Sequence, residues 1–262
     1  MSERPSELRQ IRGTHELVVV EGPHTRRFLN DLLSQELAGI RPDEAVRSFL
    51  LAPQGKLRAL LWVYGREERI GLIADAGVGE QVVDDLTHYK IRVKATINRP
   101  VPVTTVVGSL PAGAVAAAMG AVVRGFVEGD VSAPLMTVDQ WNSLRIDAGE
   151  PVMGVDVDER TIPQESGLVD ESVSFTKGCY LGQELVARID SRGHVNRRLR
   201  TIRLVRRVEV PAEVVSAGSV IGTLTSVAPA LEGAGYAGLA MIKATVQPDA
   251  VATVEGVPAR VG

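Results

Sequence analysis

The chain has 262 residues, of which 45% are hydrophobic and 23% charged, with a formal net charge of −3. This composition is typical of a globular protein with room for one large domain or two to three small ones. Mild acidity excludes a strong electrostatic attraction to nucleic acid or to an anionic membrane, and only 4% aromatic residues argue against a base-stacking surface. No apolar run reaches the roughly 20 residues of a membrane span, and the N-terminus lacks the apolar core of a signal peptide. We therefore expect a cytoplasmic protein.

The first half of the chain alternates between strand-like and helix-like patterns. Strands are indicated by short β-branched and apolar runs, and helices by apolar residues at a spacing of three or four. A turn at residues 53–56 joins two of the strands into a hairpin. We expect strands at Glu16–Val20, Arg47–Ala52, Leu57–Tyr64, Arg69–Ala74 and Val101–Val107, and helices at residues 28–33, Glu80–Tyr89 and Ala112–Val122.

The pattern of polar and apolar residues changes after Asn196. Before that point, an acidic loop covers residues 151–167, and residues 175–189 predict a strand, a turn and a helix. Beyond it, residues 197–205 alternate between polar and apolar side chains, and short Val- and Gly-rich segments continue to the end. That pattern is typical of a small β-barrel. The fold class is therefore α+β, with a β module at residues 197–262.

The segment Lys177–Glu184, with the sequence KGCYLGQE, contains the single cysteine. One cysteine excludes an intrachain disulfide and a cysteine-cluster metal site, and no zinc or calcium ligand spacing is present. Lys177 and a helix predicted to begin near Leu181 would both favour the thiolate of Cys179. The alternative is a small, buried apolar role for this cysteine. His194 could act as its base, but no orienting Asn or Asp is identifiable, which favours a surface role.

Two clusters of charge lie on either side of this segment. Arginines can bind a carboxylate through bidentate hydrogen bonds, or they can form a solvated face. Carboxylates can accept hydrogen bonds from the N–H donors of a heterocycle, or they can form a solvated acidic loop. The arginines are Arg188, Arg192, Arg197, Arg198 and Arg200, and the acids are Asp147, Glu150, Asp156, Asp158, Glu159 and Glu165.

Lys177–Glu184 resembles the signature of the YgfZ proteins, which are folate-binding relatives of the glycine-cleavage T-protein, an aminomethyltransferase, and act in iron–sulfur cluster assembly or repair. The continuation at residues 186–188 and 192–193 is similar to that family as well. Weaker similarities to the superfamily extend over nearly the whole chain. They are at Phe28–Leu32, Ser48–Lys56, Leu144–Pro151, Ile162–Leu168 and Ile221–Ser226.

The resemblance implies a T-protein-like ring of three subdomains around a central channel that holds tetrahydrofolate or a one-carbon derivative. Residues 1–196 would form the folate-binding α+β core, built from two interleaved, ferredoxin-like subdomains, and residues 197–262 the small C-terminal barrel. Cys179 would be the reactive group, Lys177 would favour its thiolate, and the glycines of the motif would allow close backbone approach. The motif residues are completed by Gly178, Gly182 and Glu184, and the implied folate contacts are Glu165, Tyr180, Gln183, Arg188, Arg192 and Arg197.

Two positions depart from the T-protein pattern. Val82 stands where T-proteins have an Asp, and Met153 stands where they often have a Tyr, which argues against aminomethyl transfer. The leading hypothesis is a tetrahydrofolate-binding protein for iron–sulfur clusters, with folate and iron–sulfur proteins or assembly factors as partners and no nucleic acid or membrane. The alternatives are a folate-dependent aminomethyl- or methyltransferase and a non-catalytic folate-binding scaffold, so enzymatic activity is left open.

Overall fold

Strands dominate the part of the chain that the computed structural model describes, which is residues 6–66 and 68–262 without the side chains of Arg66 and Arg192. Within that part, eight strands form one antiparallel sheet and six form a closed barrel. The helices there are short, and none is long and apolar enough to cross a membrane. The α+β class expected from the sequence is confirmed.

The eight-stranded sheet comes from the first half of the chain. Its strand order is β2-β3-β4-β1-β6-β8-β7, and β5 pairs with β1 outside this path. The strands are β1 (Arg9–Glu21), β2 (Val46–Leu51), β3 (Leu57–Arg66), β4 (Arg69–Asp75), β5 (Thr96–Ile97), β6 (Val101–Val107), β7 (Val115–Met119) and β8 (Val122–Glu128). The helices are α1 (Thr25–Leu32), α2 (Gly79–Tyr89), α3 (Val138–Asp147), α4 (Val169–Ser172) and α5 (Gln183–Arg192), with a 3₁₀ turn at Pro163–Glu165.

The barrel follows directly after α5. Its strand order is β10-β11-β12-β9-β14-β13, and pairing of β13 with β10 closes it. An apolar interior of Val, Leu, Ile and Ala side chains fills it, as in other small barrels. The strands are β9 (Arg197–Leu204), β10 (Ala212–Ser216), β11 (Ser219–Pro229), β12 (Tyr236–Lys243), β13 (Val251–Val254) and β14 (Val257–Val261).

Both faces of the large sheet carry buried apolar side chains. Successive side chains of a strand point to opposite faces, so neighbouring residues join different clusters. In β1, Val18 and Val20 join the apolar cluster that includes α1 and α2. Leu17 and Val19 belong to a second cluster on the opposite face, together with Trp62. We call these the helix face and the concave face of the sheet. They matter below, because the two candidate sites lie on different faces.

A buried ion triad lies on the concave face. Glu150 accepts hydrogen bonds from the guanidiniums of Arg47 and Arg124, and all three side chains are buried. Both guanidiniums stand over the Trp62 ring, 4.1 and 4.6 Å from its centroid. Burial alone would raise the pKa of Glu150, but the two arginines outweigh it and lower that pKa below its ordinary value. The triad therefore joins the loop after α3 to β2 and β8.

A second polar network joins α3 to the barrel. Arg145 donates hydrogen bonds to Asp156 Oδ2 at 2.8 Å, to the Glu150 carbonyl at 3.1 Å and to Ser226 Oγ at 2.7 Å. Asp156 Oδ1 also accepts from the hydroxyls of Thr225 and Ser226, each at 2.6 Å. Because these groups are largely buried and satisfied, the network fixes β11 against the loop that follows α3.

The helix predicted at Ala112–Val122 is wrong, because this stretch forms β7 and the start of β8. Alanine favours a helix, but only by a few tenths of a kcal/mol per residue. Burial here has a period of two instead: Val115, Ala117 and Met119 are buried, whereas Ala118 is exposed. The strand also gains a neighbour on its outer edge, where Ala116 exchanges backbone hydrogen bonds with residues 43 and 45.

The strand predicted at the start of residues 175–189 is also wrong. Residues 173–182 form an irregular loop, and Phe175 at its centre is 49% exposed. The helix that follows begins at Gln183, two residues later than expected. The loop follows the end of α1 instead of a sheet edge, so no ladder of strand hydrogen bonds is available to it.

Replacing Glu150 by alanine should lower the free energy of unfolding by about 3–5 kcal/mol, since the buried Arg124 would lose its counter-charge and Arg47 would keep only the exposed Glu171. Urea unfolding followed by circular dichroism measures this. Glu159→Ala is the matched control, because its exposed carboxylate pairs with Arg58 at the surface and should contribute less than about 1 kcal/mol. A loss for Glu150→Ala no larger than that of the control would contradict the role given to the triad.

Candidate functional site

Cys179 lies in the loop between α4 and α5, and its thiol is free and exposed. Backbone hydrogen bonds attach the loop to the end of α1. Ser174 N–H donates to the Ser34 carbonyl at 3.0 Å, and Leu181 N–H donates to the Asp31 carbonyl at 3.2 Å. The alternative of a small, buried apolar role for this cysteine is therefore wrong.

Lys177 fixes the same loop more strongly. Its Nζ donates to the backbone carbonyls of Asn30, Leu33 and Gln35 at 2.7, 2.8 and 2.9 Å. These carbonyls lie at the C-terminal end of α1, where helical partners are missing and a cation is favourable. Burial lowers the pKa of Lys177 to about 8. The ammonium is thus engaged in anchoring the loop, and its predicted effect on the Cys179 thiolate stays a prediction.

Gly182 provides a third attachment of the loop. Its φ of +77° suits glycine, and a Cβ added there would lie 2.5 Å from the Ala52 carbonyl oxygen. Gly55, in the turn between β2 and β3, is equally close to α5, since its added Cβ would lie 2.6 Å from Leu185 Cβ. The turn and the start of α5 therefore interlock at two glycines. Gly178 has open space around it, so the expected close approach occurs at Gly182 only.

The remaining residues of the motif lie on or near the start of α5. Tyr180 is half-buried against the helix-face cluster, and burial raises its pKa to about 12. Gln183 Oε1 accepts a hydrogen bond from the Tyr180 N–H at 3.2 Å, which supports the turn into the helix. Glu184 and Arg188 are exposed on α5, whereas the Arg192 side chain lies outside what the structure describes.

Two of the residues predicted to contact folate, Arg197 and Glu165, form an ion pair with each other. Arg197 Nε donates to Glu165 Oε1 at 2.9 Å, and its Nη2 donates to Oε2 at 3.3 Å. The Ile162 N–H also donates to Glu165 Oε2, at 3.1 Å. The buried Glu165 carboxylate is therefore well satisfied within the chain. His194, the possible base for the cysteine, is exposed.

The acidic stretch is not a solvated loop throughout. Glu150, Asp156 and Glu165 are buried and paired with arginines, whereas Glu159 is exposed. The alternative of a solvated acidic loop is therefore wrong for these three residues. The ion pairs of Glu150 could not be inferred from the neighbouring sequence, because its partners Arg47 and Arg124 lie on strands that are distant along the chain.

A cavity of about 770 Å³ lies between β1, the end of β4, α3, residues 150–155 and β11. We call it the head cavity. It combines charged groups with the flat rings of His15 and Trp141. Among the described side chains, those predicted as folate contacts do not line it. Apart from Glu150, the charged residues of this cavity were not recognised in the sequence, although an acid at the end of the otherwise apolar strand β4 was an available signal. The charged residues of its lining are Arg12, Asp75, Arg124, Arg145, Glu150, Arg207 and Glu209.

Asp75 is the unusual acid of the head cavity. Its Oδ2 accepts a hydrogen bond from the Met153 N–H at 2.8 Å, and its Oδ1 lies 3.9 Å from His15 Nε2. Burial raises the pKa of Asp75 to about 7, although the Met153 bond, Arg124 and Arg145 oppose that rise. Burial and the nearby arginines lower the pKa of His15 well below its ordinary value, so it is neutral at pH 7. Both protonation states of Asp75 are therefore accessible near neutrality.

Cys179 and the head cavity lie on opposite sides of the large sheet. Tyr180 and Leu181, next to the cysteine, pack against the helix-face cluster. Asp75 ends β4 beside Ile73 of the concave-face cluster, and the described part of residues 174–194 does not line the cavity. Val82 is fully buried in the helix-face cluster and lines neither site.

Replacing Gly182 by alanine should destabilise the protein by about 1–3 kcal/mol, because both the positive φ and the Ala52 carbonyl oppose a Cβ. It should also change the rate at which Cys179 is alkylated, since the start of α5 must shift. Gly178→Ala is the matched control in the same loop and should stay within about 0.5 kcal/mol. Urea unfolding and timed alkylation with iodoacetamide test both variants, and equal behaviour of the two would contradict the interlock.

The chain is similar to proteins from several sources. It is 29% identical over 272 residues to the mitochondrial iron–sulfur cluster assembly factor IBA57 of Mus musculus, a match that covers 87% of this chain and 75% of that protein. It is 26% identical over 220 residues to the tRNA-modifying protein YgfZ of Sodalis glossinidius, which covers 70% and 67% of the two chains. A putative chloroplast transferase of Arabidopsis thaliana is 34% identical over 103 residues, but the match spans only 24% of that relative.

The fold has a counterpart of known structure. The crystal structure of the glycine cleavage system aminomethyltransferase T from Bartonella henselae superposes with a TM-score of 0.84, covering 99% of this chain and 86% of that one at 16% identity. The T-protein-like fold expected from the sequence is thereby confirmed. No family model matches the chain. The chain is therefore similar to several YgfZ and IBA57 proteins, and it has the fold of the glycine cleavage T-protein.

Proposed function

We propose that the chain binds a tetrahydrofolate and acts in the assembly, maintenance or repair of iron–sulfur clusters, with Cys179 as its reactive group. The observation that carries the proposal is the exposed thiol of Cys179 on a loop fixed by Lys177 and Gly182. The IBA57 relative, named as an iron–sulfur cluster assembly factor, supports the choice of partner.

An anchored, exposed thiol suits contact with another macromolecule. Sulfur is a nucleophile and a soft metal ligand in its thiolate form, so it can react with, or bind, an iron–sulfur protein. The anchors reduce the conformational entropy that the loop would lose on contact. Cys179 also stands just before the N-terminus of α5, where the helix dipole favours negative charge.

The head cavity fits a reduced pterin in chemistry and in size. A pterin is flat and presents N–H donors and a carbonyl acceptor, which match a carboxylate, guanidiniums and aromatic faces. Asp75 can accept the N–H donors, Arg145 lies beside it, and Trp141 offers a ring. The volume of about 770 Å³ lies in the usual range for small-molecule sites. Glu165, predicted as the pterin carboxylate, is satisfied by Arg197, so Asp75 is the better candidate.

Each part has a separate task in this proposal. A bound tetrahydrofolate would supply one-carbon or reducing chemistry. Asp75 would hold or release a proton at its carboxyl oxygen, and Arg145 would orient the ligand while it ties α3 to β11. Cys179 would make the protein contact on the helix face.

The two alternatives predict different behaviour. An aminomethyl- or methyltransferase would need an acid where Val82 stands, and Val82 is buried in the apolar cluster away from the cavity. A non-catalytic scaffold would bind folate but would not need the thiol. The cytoplasmic location and the absence of a nucleic-acid partner stay predictions. The YgfZ relative's name refers to tRNA, whereas this chain's charge of −3 argues against direct binding of tRNA.

A Cys179→Ala variant should fail to restore the activity of an iron–sulfur enzyme in cells that lack the protein. Thr176→Ala, an exposed change in the same loop, should restore it fully and serves as the control. Enzyme activity and protein level are measured together, so that loss of folding is recognised. Full restoration by Cys179→Ala would contradict a role for the thiol and would favour the non-catalytic folate-binding scaffold.

Tetrahydrofolate should bind about tenfold more tightly at pH 8 than at pH 6, because N–H donors favour the ionised form of an acid whose pKa is about 7. Anaerobic calorimetry measures this. Asp75→Asn, which keeps the acceptor for the Met153 N–H, should bind more weakly and lose the pH dependence. Glu159→Gln is the surface control. No binding by the wild type, or the same pH profile in Asp75→Asn, would contradict the assignment.

A further inference from the structure

A basic loop follows α2 on the helix face of the large sheet. The sequence contains no acidic residue between Asp85 and Glu128, and residues 90–94, directly after α2, read KIRVK. Val93 of this loop packs against the helix-face cluster, whereas its neighbours Arg92 and Lys94 are exposed. A local excess of positive charge in a chain of net charge −3 indicates a surface that attracts anionic groups.

Backbone contacts fix this loop to the start of α1. The Lys94 N–H donates a hydrogen bond to His24 Nδ1 at 3.1 Å, and the His24 N–H donates to the Lys94 carbonyl at 3.3 Å. Gly22 lies so close that a Cβ added there would be 2.6 Å from the same carbonyl oxygen. The loop is therefore held in place before any partner binds, which reduces the entropy lost on binding.

The attachment brings several cations together. Arg27 of α1 is exposed, as are Arg92 and Lys94, and none of the three forms an ion pair with another described residue. Lys90 is half-buried, and its Nζ donates to the Ala95 carbonyl at 2.9 Å instead of to an acid. We call this surface the basic ridge, and it consists of Arg27, Lys90, Ile91, Arg92 and Lys94.

The tip of the basic ridge is apolar. Ile91 is 76% exposed, more than any other large hydrophobic residue that the structure describes. Arg92 beside it has a φ of +58°, which glycine adopts at lower cost, so this position carries an arginine despite its backbone. An exposed apolar side chain beside cations suits a protein interface, where an apolar centre has a polar rim. Surfaces that bind single-stranded nucleic acid instead combine cations with aromatic rings for stacking.

The basic ridge and the Cys179 loop lie at the two ends of α1. The ridge is attached at His24, just before the helix, whereas Lys177 donates to the Asn30 and Leu33 carbonyls at its end. Eight residues of helix span about 12 Å. A protein interface of standard size covers about 800 Å² on each partner, so one partner can cover both ends of α1.

We infer that the basic ridge binds an acidic surface of the iron–sulfur protein that Cys179 contacts. This inference rests on the proposed function and adds the chemistry by which the partner is recognised. Complementary charges accelerate association and fix the orientation of the two proteins. The ridge would hold the acidic surface of the partner at the start of α1, and the metal site of the partner would then face the thiol at the other end.

The size of the effect follows from the exposure of these cations. Each exposed ion pair contributes about a 1.5- to fivefold change in affinity, and salt weakens it. Reversing a charge replaces an attraction by a repulsion. Reversal of three ridge cations should therefore weaken binding at least about tenfold.

Site-specific cross-linking with the full chain tests this. A benzophenone amino acid replaces Ile91 or Thr176, one at each end of α1, and the protein is irradiated in an extract of cells that lack the native protein. Both positions should capture the same iron–sulfur protein, identified by mass spectrometry. The yield at both should fall several-fold as sodium chloride is raised from about 50 to about 300 mM. The same probe at Val205, which is exposed beside the barrel, should not capture that protein.

Charge reversal identifies the groups responsible. Adding Arg27→Glu/Arg92→Glu/Lys94→Glu should lower the yield at both positions at least about tenfold, whereas Arg27→Lys/Arg92→Lys/Lys94→Arg should keep it. The matched control reverses three exposed arginines of the barrel region and should keep the yield within about twofold. Circular dichroism checks that every variant is folded. The control variant is Arg198→Glu/Arg206→Glu/Arg260→Glu.

The possible outcomes separate this inference from the proposed function. An iron–sulfur protein captured at position 176 but not at 91, or an undiminished yield in the ridge reversal, would overturn the ridge alone. An equal loss in the barrel control would also overturn it, because net charge and not the ridge would then be responsible. A product at position 91 that ribonuclease removes would overturn it in favour of RNA. If neither position captures an iron–sulfur protein, the proposed function is overturned, and the inference with it.

Discussion

The buried carboxylate of Glu150, held between Arg47 and Arg124, is the interaction on which the architecture depends. Three charges inside a protein are tolerated only when they compensate one another. Here they do so across three separate parts of the chain: β2, β8 and the loop after α3. Arg145 and Asp156 extend the same loop to β11 of the barrel. The walls of the head cavity are therefore fixed by polar contacts as well as by apolar packing.

The large sheet separates the two candidate sites. Cys179 is exposed on the helix face, whereas Asp75 and the head cavity lie toward the concave face. A ligand in the cavity would act through the sheet and the loops that it joins, without direct contact with the thiol in this conformation. In the proposed function, this separation would let a protein partner and a folate bind at the same time. The residues of the cysteine motif hold the loop in place: Lys177 donates to carbonyls at the end of α1, and Gly182 packs closely against the β2–β3 turn.

Local patterns predicted the elements whose side chains repeat with a clear period. The alternation in residues 197–205 indicated the barrel, and the apolar spacing of residues 80–89 indicated α2. The helix predicted for the alanine-rich stretch was wrong, because the helix preference of alanine is weak and strand pairing with β8 outweighs it. The site could be predicted only in part. Cys179 was recognisable within a continuous motif, but the pairing of Arg47 with Glu150 joins residues 103 positions apart, and no local pattern carries that information.

A crystal structure with tetrahydrofolate bound would test the central claim most directly. We expect a pterin in the head cavity, with its N–H donors on Asp75 and its ring near Trp141. A pterin bound at Glu165, or beside Cys179 on the helix face, would contradict the assignment of the head cavity as the folate site.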